Sequence, residues 1–267
     1  MSRIYPAIPI RFAIGRVLLF WAVTMVILAA AAPAASAWGD RSGLTIGAIA
    51  SLLTLGLTIV FIRLDRRSLE SFGFQLTWRS PVLFVFGAVV GIILVGAHVA
   101  LTALCGPVHW VSNRQWMPAR AILLAAVFLL LATREELAFR GYPLRKLASE
   151  LNPVAAQLIV AALFAIEHAI SGASWSNAIL GAGMGSVVFG MAALATRGLA
   201  MPIGLHAAYN FGDWASGGKG DNGIWQVEVA PGFDHQAQIV SMSAYVGVMA
   251  IAAATIWWWG HRTNRAG

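Results

Sequence analysis

Apolar residues fall along this chain in long blocks separated by short polar stretches. They do not alternate at the two-residue period of a half-buried strand. The blocks run Val17 to roughly Ala37, Leu44 to Ile62, Pro81 to Leu104, Pro118 into a charged stretch at Thr133, Asn152-Pro153 to about Ala169, Ala178 to Ala195, Leu199 to about Phe211, and Ile239 to Trp259. About 20 apolar residues are needed to cross a bilayer as a helix, so the pattern predicts an all-α polytopic membrane helix bundle of about eight transmembrane helices. Asn152-Pro153 is a helix start, with Asn as cap and Pro in the first turn. Leu144, Leu147 and Leu151, set among Arg145, Lys146 and Glu150, continue the fourth helix as an amphipathic segment past Gly141-Tyr142-Pro143. Gly181-x-x-x-Gly185 in the sixth span reads as a close-packing helix face. The chain divides into N-terminal helices (1–117), a core carrying the chemistry (118–214), and a polar loop with a last helix (215–267).

Composition supports this reading. Hydrophobic residues make up 59 % and charged ones 11 %, against about 25 % charged in soluble domains. The mean hydropathy is +0.74. A net charge of +7 would suggest nucleic acid in a soluble protein; here no nucleic acid is expected, because the basic residues sort by loop. With eight spans, Arg3, Arg11, Arg16, Arg63, Arg66, Arg67, Arg79, Arg140, Arg145, Lys146, Arg197, Arg262 and Arg265 share one side, and Arg41, Arg114, Arg120 and Lys219 the other. The positive-inside rule then predicts both termini in the cytoplasm, in a multi-pass protein of a bacterial inner membrane. Ala35-Ser36-Ala37 has the form of a signal-peptidase site and leaves open whether the first helix is retained. The single Cys105 excludes an intrachain disulfide framework and a multi-cysteine metal site.

The chemistry concentrates in Thr133-Arg134-Glu135-Glu136-Leu137-Ala138-Phe139-Arg140. A charge at the bilayer centre costs at least about 2.5–3.5 kcal/mol on insertion scales, so such residues are paired or functional. Glu136 and Arg140 are i,i+4 neighbours able to pair, and Glu135 points about 100° away. Phe164 precedes His168 by one turn and can pack on its ring. His206 and Asn210 share a helix face. Glu135 and His168 stand 33 residues apart across the Asn152-Pro153 turn, which returns His168 to about the depth of Glu135. The Ser171 to Asn177 connection is thereby expected to dip into the bilayer, where irregular backbone must line a protein cavity. His98 reads as a hydrogen-bonded packing group and Glu167 as a solvated or capping carboxylate near a helix end.

A Glu beside a neutral His can deprotonate and aim a water. A second His with an Asn amide can stabilise an oxyanion. Together these point to hydrolysis of a peptide bond. There is no H-E-x-x-H, no pair of aspartates within spans and no G-x-S-x-G. No cofactor is expected, although zinc on Glu135, His168 and His206 stays open as a ligand set.

Glu135-Glu136-x-x-x-Arg140, Phe164-x-x-x-His168 and His206-x-x-x-Asn210 resemble, in order and spacing, the motifs of the CPBP family, also called Abi or CAAX-type intramembrane proteases. The resemblance covers roughly Pro118 to Trp214. It implies an eight-helix bundle with a cavity reaching the cytoplasmic side, water activation by Glu135 and His168, an oxyanion site at His206 and Asn210, and support from Glu136 and Arg140. It implies a glutamic rather than, as long described, a metal-dependent endopeptidase, acting on a membrane protein or peptide that is lipidated in the CAAX-processing members. The alternatives are a non-catalytic membrane scaffold or bacteriocin self-immunity factor, and a proton-coupled transporter, which would show an inverted repeat.

Overall fold

The computed structural model describes residues 10–35, 39, 41–220 and 222–265. Arg3 and the Ser36-Ala37 half of the small-residue pattern lie outside them. Among the described residues nine α-helices follow in order: α1 (Ile10–Ala35), α2 (Ser42–Leu64), α3 (Arg79–Cys105), α4 (Pro118–Glu136), α5 (Pro143–Glu150), α6 (Pro153–Ile170), α7 (Met184–Thr196), α8 (Ala200–Ala215) and α9 (Asp234–Arg265). A helical membrane bundle is therefore what this sequence builds. Six helical stretches among the described residues are long and apolar enough to cross a membrane. The other two predicted spans differ for visible reasons: α4 ends in three consecutive charges, and α8 has 16 residues. The outward faces of α2 and α3 expose Leu52, Leu53, Val60, Val82, Phe86, Ile92 and Ile93, a belt that suits lipid.

Local chemistry sets the boundaries. Asn152 caps α6 as its sequence predicts, its Oδ1 accepting from the Ala155 N–H at 2.9 Å, with Pro153 in the first turn. Arg197 ends α7 in the left-handed region at φ 54°. Two departures from the predicted elements matter for the site. The fourth helix does not run on unbroken: it widens to a π-helical turn at Leu137–Gly141. A second π-helical stretch, Asn177–Gly183, leads into α7. The polar loop after α8 also holds a strand, β2 (Trp225–Val229), pairing antiparallel with β1 (Val108–Ser112), which follows α3. This ribbon caps one end of the bundle.

At the opposite end Asp65, its side chain 1 % exposed, is a hub. It pairs with Arg16 of α1 and Lys146 of α5, and accepts from the Tyr142 hydroxyl at 3.0 Å. Phe20 of α1, Phe61 of α2 and Tyr142 pack their rings together just above it. The first helix is thus built into the core.

The tightest helix crossing is between α3 and α8, not at Gly181-x-x-x-Gly185. A Cβ on Gly87 would lie 2.1 Å from the Met201 carbonyl oxygen, one on Gly91 2.5 Å from that of Leu205, and one on Gly204 2.1 Å from that of Phe84. Backbone meets backbone there, which only glycine permits. Gly181 has open space beside it, and its carbonyl accepts from the Tyr245 hydroxyl at 2.7 Å. Gly204→Ala is expected to destabilise by about 1–3 kcal/mol, the range for overpacking a close contact. Gly181→Ala should leave the unfolding midpoint in detergent unchanged. Equal midpoints for both variants would show that the crossing can open without cost.

Candidate active site

Each charged residue of the Thr133–Arg140 stretch finds a separate fate. Arg134, 1 % exposed, forms an ion pair with Glu167 of α6, and its other guanidinium nitrogen donates to the Thr24 carbonyl of α1 at 3.2 Å. Trp21 Nε1 donates to the second Glu167 oxygen at 3.2 Å. Glu167 is therefore a buried partner that locks α1, α4 and α6 together, not the solvated or capping carboxylate its position near a helix end suggested. The α4–α6 depth match holds, but it is the neighbours Arg134 and Glu167, rather than Glu135 and His168, that touch.

Glu136 is completely buried. Its Oε1 accepts from Arg140 Nη1 at 3.3 Å and from His206 Nδ1 at 2.8 Å. The i,i+4 pair read from spacing is present, and a histidine from α8 joins it. Arg140 also donates to the Ser186 carbonyl and hydroxyl on α7, at 3.0 and 2.8 Å. Its guanidinium lies 4.8 Å from the Phe164 ring centroid and 5.6 Å from that of Phe189, within cation–π reach. Gln157 of α6 donates to the same Ser186 carbonyl at 3.1 Å. Ser186, Gln157 and Phe189 were not singled out by sequence; a lone Ser or Gln in an apolar helix carries no spacing signal.

Glu135 faces a cavity of about 650 Å³. Its Oε2 lies 3.6 Å from His206 Nε2, too far for a hydrogen bond, and is a buried acceptor with no protein donor. His168, Phe164, His206 and Asn210 line the same cavity. Phe164 packs on the His168 ring, centroids 4.5 Å apart, as the one-turn spacing predicts. Because a carbonyl only accepts, the 2.9 Å contact of His168 Nδ1 with the Phe164 carbonyl makes Nδ1 the donor. In the neutral ring Nε2 is then the acceptor. By the same reasoning His206 donates from Nδ1 to Glu136, and its ring stacks on Phe189 at 4.1 Å.

The Ser171–Asn177 connection lies beside the site, since α6 ends two residues after His168. Ala173 and Asn177 line the cavity, the setting in which irregular backbone is tolerated. His98 is hydrogen-bonded, as expected: Nε2 donates to the Ser241 carbonyl at 3.1 Å and Nδ1 accepts from the Tyr209 hydroxyl at 3.3 Å. It also stands between the main cavity and a smaller one of about 310 Å³ beneath the β1–β2 ribbon. Among the described residues no three His, Cys, Asp or Glu gather as a metal-binding group. No hydrogen bond or ion pair among them joins His168 to Glu135 or His206, so the zinc alternative rests on donor types alone.

Residues 115–212 match the family described as type II CAAX prenyl endopeptidase Rce1-like. All three motifs, Glu135 to Arg140, Phe164 to His168 and His206 to Asn210, lie within that segment, so the likeness to this family covers most of the part of the chain that lines the cavity. No curated protein matches the chain.

The Arg134–Glu167 pair supports the site without facing its cavity. Arg134→Met should cost about 3–5 kcal/mol by leaving a buried carboxylate unpaired. The double variant Arg134→Met/Glu167→Gln should recover much of that loss. Unfolding midpoints of both in detergent check this; a double variant as unstable as the single would mean that Arg134 acts through packing.

Proposed function

We propose that this protein, in a bacterial inner membrane, is an endopeptidase that hydrolyses a peptide bond of a membrane-associated protein or peptide, using a water activated by Glu135 and His168. The observation that carries this reading is the Glu135 Oε2 atom, a buried acceptor that no protein donor satisfies, on the wall of the cavity that also holds His168, His206 and Asn210.

The residues divide the work as follows. Glu135 Oε2 and His168 Nε2 are both acceptors, so one water placed between them donates a hydrogen bond to each and turns a lone pair towards the substrate carbonyl. Glu135 takes the proton as the water oxygen bonds to the carbonyl carbon. The carbonyl electrons move to oxygen, and Asn210 and His206 donate to the resulting oxyanion. With Nδ1–H committed to Glu136, His206 donates from Nε2 when its ring holds both protons. The C–N bond then breaks, and the proton held by Glu135 passes to the departing amine. Glu136 and Arg140 hold His206 in place and do not touch the reacting atoms. A partly closed cavity with limited water strengthens each of these electrostatic contacts.

The test is cleavage by purified protein in detergent, using a farnesylated C-terminal CAAX peptide and a mixed peptide library, with and without a chelator. Glu135→Gln is expected to abolish cleavage without moving the unfolding midpoint. Asn210→Ala should lower kcat about 10²–10³-fold, the range for loss of one oxyanion donor. Chelator-insensitive loss in Glu135→Gln fits the glutamate-activated water. Chelator sensitivity would instead make Glu135, His168 and His206 metal ligands, and a fully active Glu135→Gln would sink the reading.

A further inference from the structure

Among the described residues, the exposed part of the cavity's lining lies at one end of the bundle. Its inner end is closed by the buried layer of Glu136, Arg140 and Ser186. From Glu135 and His206 its lining follows α8 through Asn210 and Asp213 to Lys219, and follows the first turns of α9 through Gln238 and Ser241. The lining residues Asn177, Gly218, Lys219 and Gln238 are exposed. This is the end that carries the β1–β2 ribbon and the last residue of α3, the exposed Cys105.

Most of the basic residues sit at the other end; Arg41 before α2, Arg114 after β1 and Arg120 at the start of α4 share the mouth end. Arg63, Arg66 and Arg67 close α2 and enter the loop before α3, Arg79 opens α3, and Arg145 and Lys146 lie on α5. Arg197 joins α7 to α8, and its carbonyl packs on Gly73 of the α2–α3 loop. At the mouth end Lys219 is paired with Asp213 at 3.4 Å. The loop-charge bias that orients membrane proteins therefore puts the closed end in the cytoplasm. Two expectations collide here. Cytoplasmic termini and a cavity open to the cytoplasm cannot both hold, because the helix ends nearest the basic loops lie opposite the mouth.

We infer that the cavity opens on the extracytoplasmic face. Its substrates are then peptide segments presented from that side: translocated tails or juxtamembrane segments of membrane-held proteins, not lipidated C termini in the cytosol. The substrate part of this inference rests on the endopeptidase reading; the orientation does not.

The chain carries its own probe. In spheroplasts of a bacterial host producing the full chain, Cys105 should react with a membrane-impermeant maleimide before permeabilisation. Lys219→Cys in a Cys105→Ser background should do the same. Gln75→Cys in that background, in the α2–α3 loop, should react only after permeabilisation. The reverse pattern, or equal labelling of both ends in intact spheroplasts, overturns the inference. Added impermeant peptides should be cleaved by intact spheroplasts bearing the wild type and spared by those bearing Glu135→Gln; cleavage confined to permeabilised cells overturns it as well. Labelling is read without any activity, so a failed endopeptidase reading leaves a distinct signature: outward labelling of Cys105 with no cleavage on either side.

Discussion

One carboxylate oxygen, Glu136 Oε1, organises the interior of this protein. It accepts from Arg140 of the π-helical turn and from His206 of α8. Through Arg140 the network continues to Ser186 on α7, and through Ser186 to Gln157 on α6. Four segments of the bundle are thereby fixed by a group that is 0 % exposed. Such a charge is tolerable only with its partners in place, since a buried ion left alone costs several kcal/mol. The folded state must therefore bring α4, α6, α7 and α8 into register together. The same contact commits His206 Nδ1, so that Nε2 is the ring nitrogen left on the Glu135 side.

Apolar packing sets where this polar layer can form. The α3–α8 crossing lets backbones touch at Gly87, Gly91 and Gly204. Gly204 precedes His206 by two residues, so the depth of that crossing decides where the His206 and Asn210 face meets Glu135. The π-helical turn at Leu137–Gly141 acts at the other wall. Single π turns inside α-helices are often found at functional sites, and here one separates the wall residue Glu135 from the amphipathic α5. The Arg134–Glu167 pair, with Trp21 and Thr24, then binds α1 to the same assembly.

Much of this was legible in the chain because the membrane makes charge expensive. Blocks of apolar residues marked the helices, and the charges that interrupted them marked the site: Glu136 with Arg140, Phe164 with His168, and the His206–Asn210 face are all i,i+4 relations within one helix, where spacing is informative. Contacts between helices were not. Nothing in the spacing of Glu167 distinguishes a capping carboxylate from the buried partner of Arg134, and Ser186 and Gln157 carry no periodic signal. Gly87-x-x-x-Gly91 has the same form as Gly181-x-x-x-Gly185; only the position of α8 makes the first a crossing and the second a cavity wall. The β1–β2 ribbon escaped because its strands have five residues each and are 119 residues apart at the His109–Glu228 rung.

The proposed hydrolysis needs water at one point inside the membrane and its exclusion elsewhere. The fold meets both demands by placing its polar groups in order of burial along the cavity. At the mouth are exposed groups, Lys219 and Gln238. At mid-depth are groups able to share water, Glu135 with a side chain 21 % exposed and His168 partly buried. Beyond them lies a layer in which Glu136 and Arg140 are wholly buried and bonded to each other, to His206 and to Ser186. That layer plugs the bundle towards the basic end while still orienting His206. A purely apolar plug would exclude water equally well but could not fix a histidine tautomer, and a plug with one partner missing would leave a charge that draws water through. The double glutamate thus gives adjacent residues two opposite settings: Glu136 is sealed from the cavity and held through Oε1 by Arg140 and His206, whereas Glu135 stands on the cavity wall with no protein donor on Oε2.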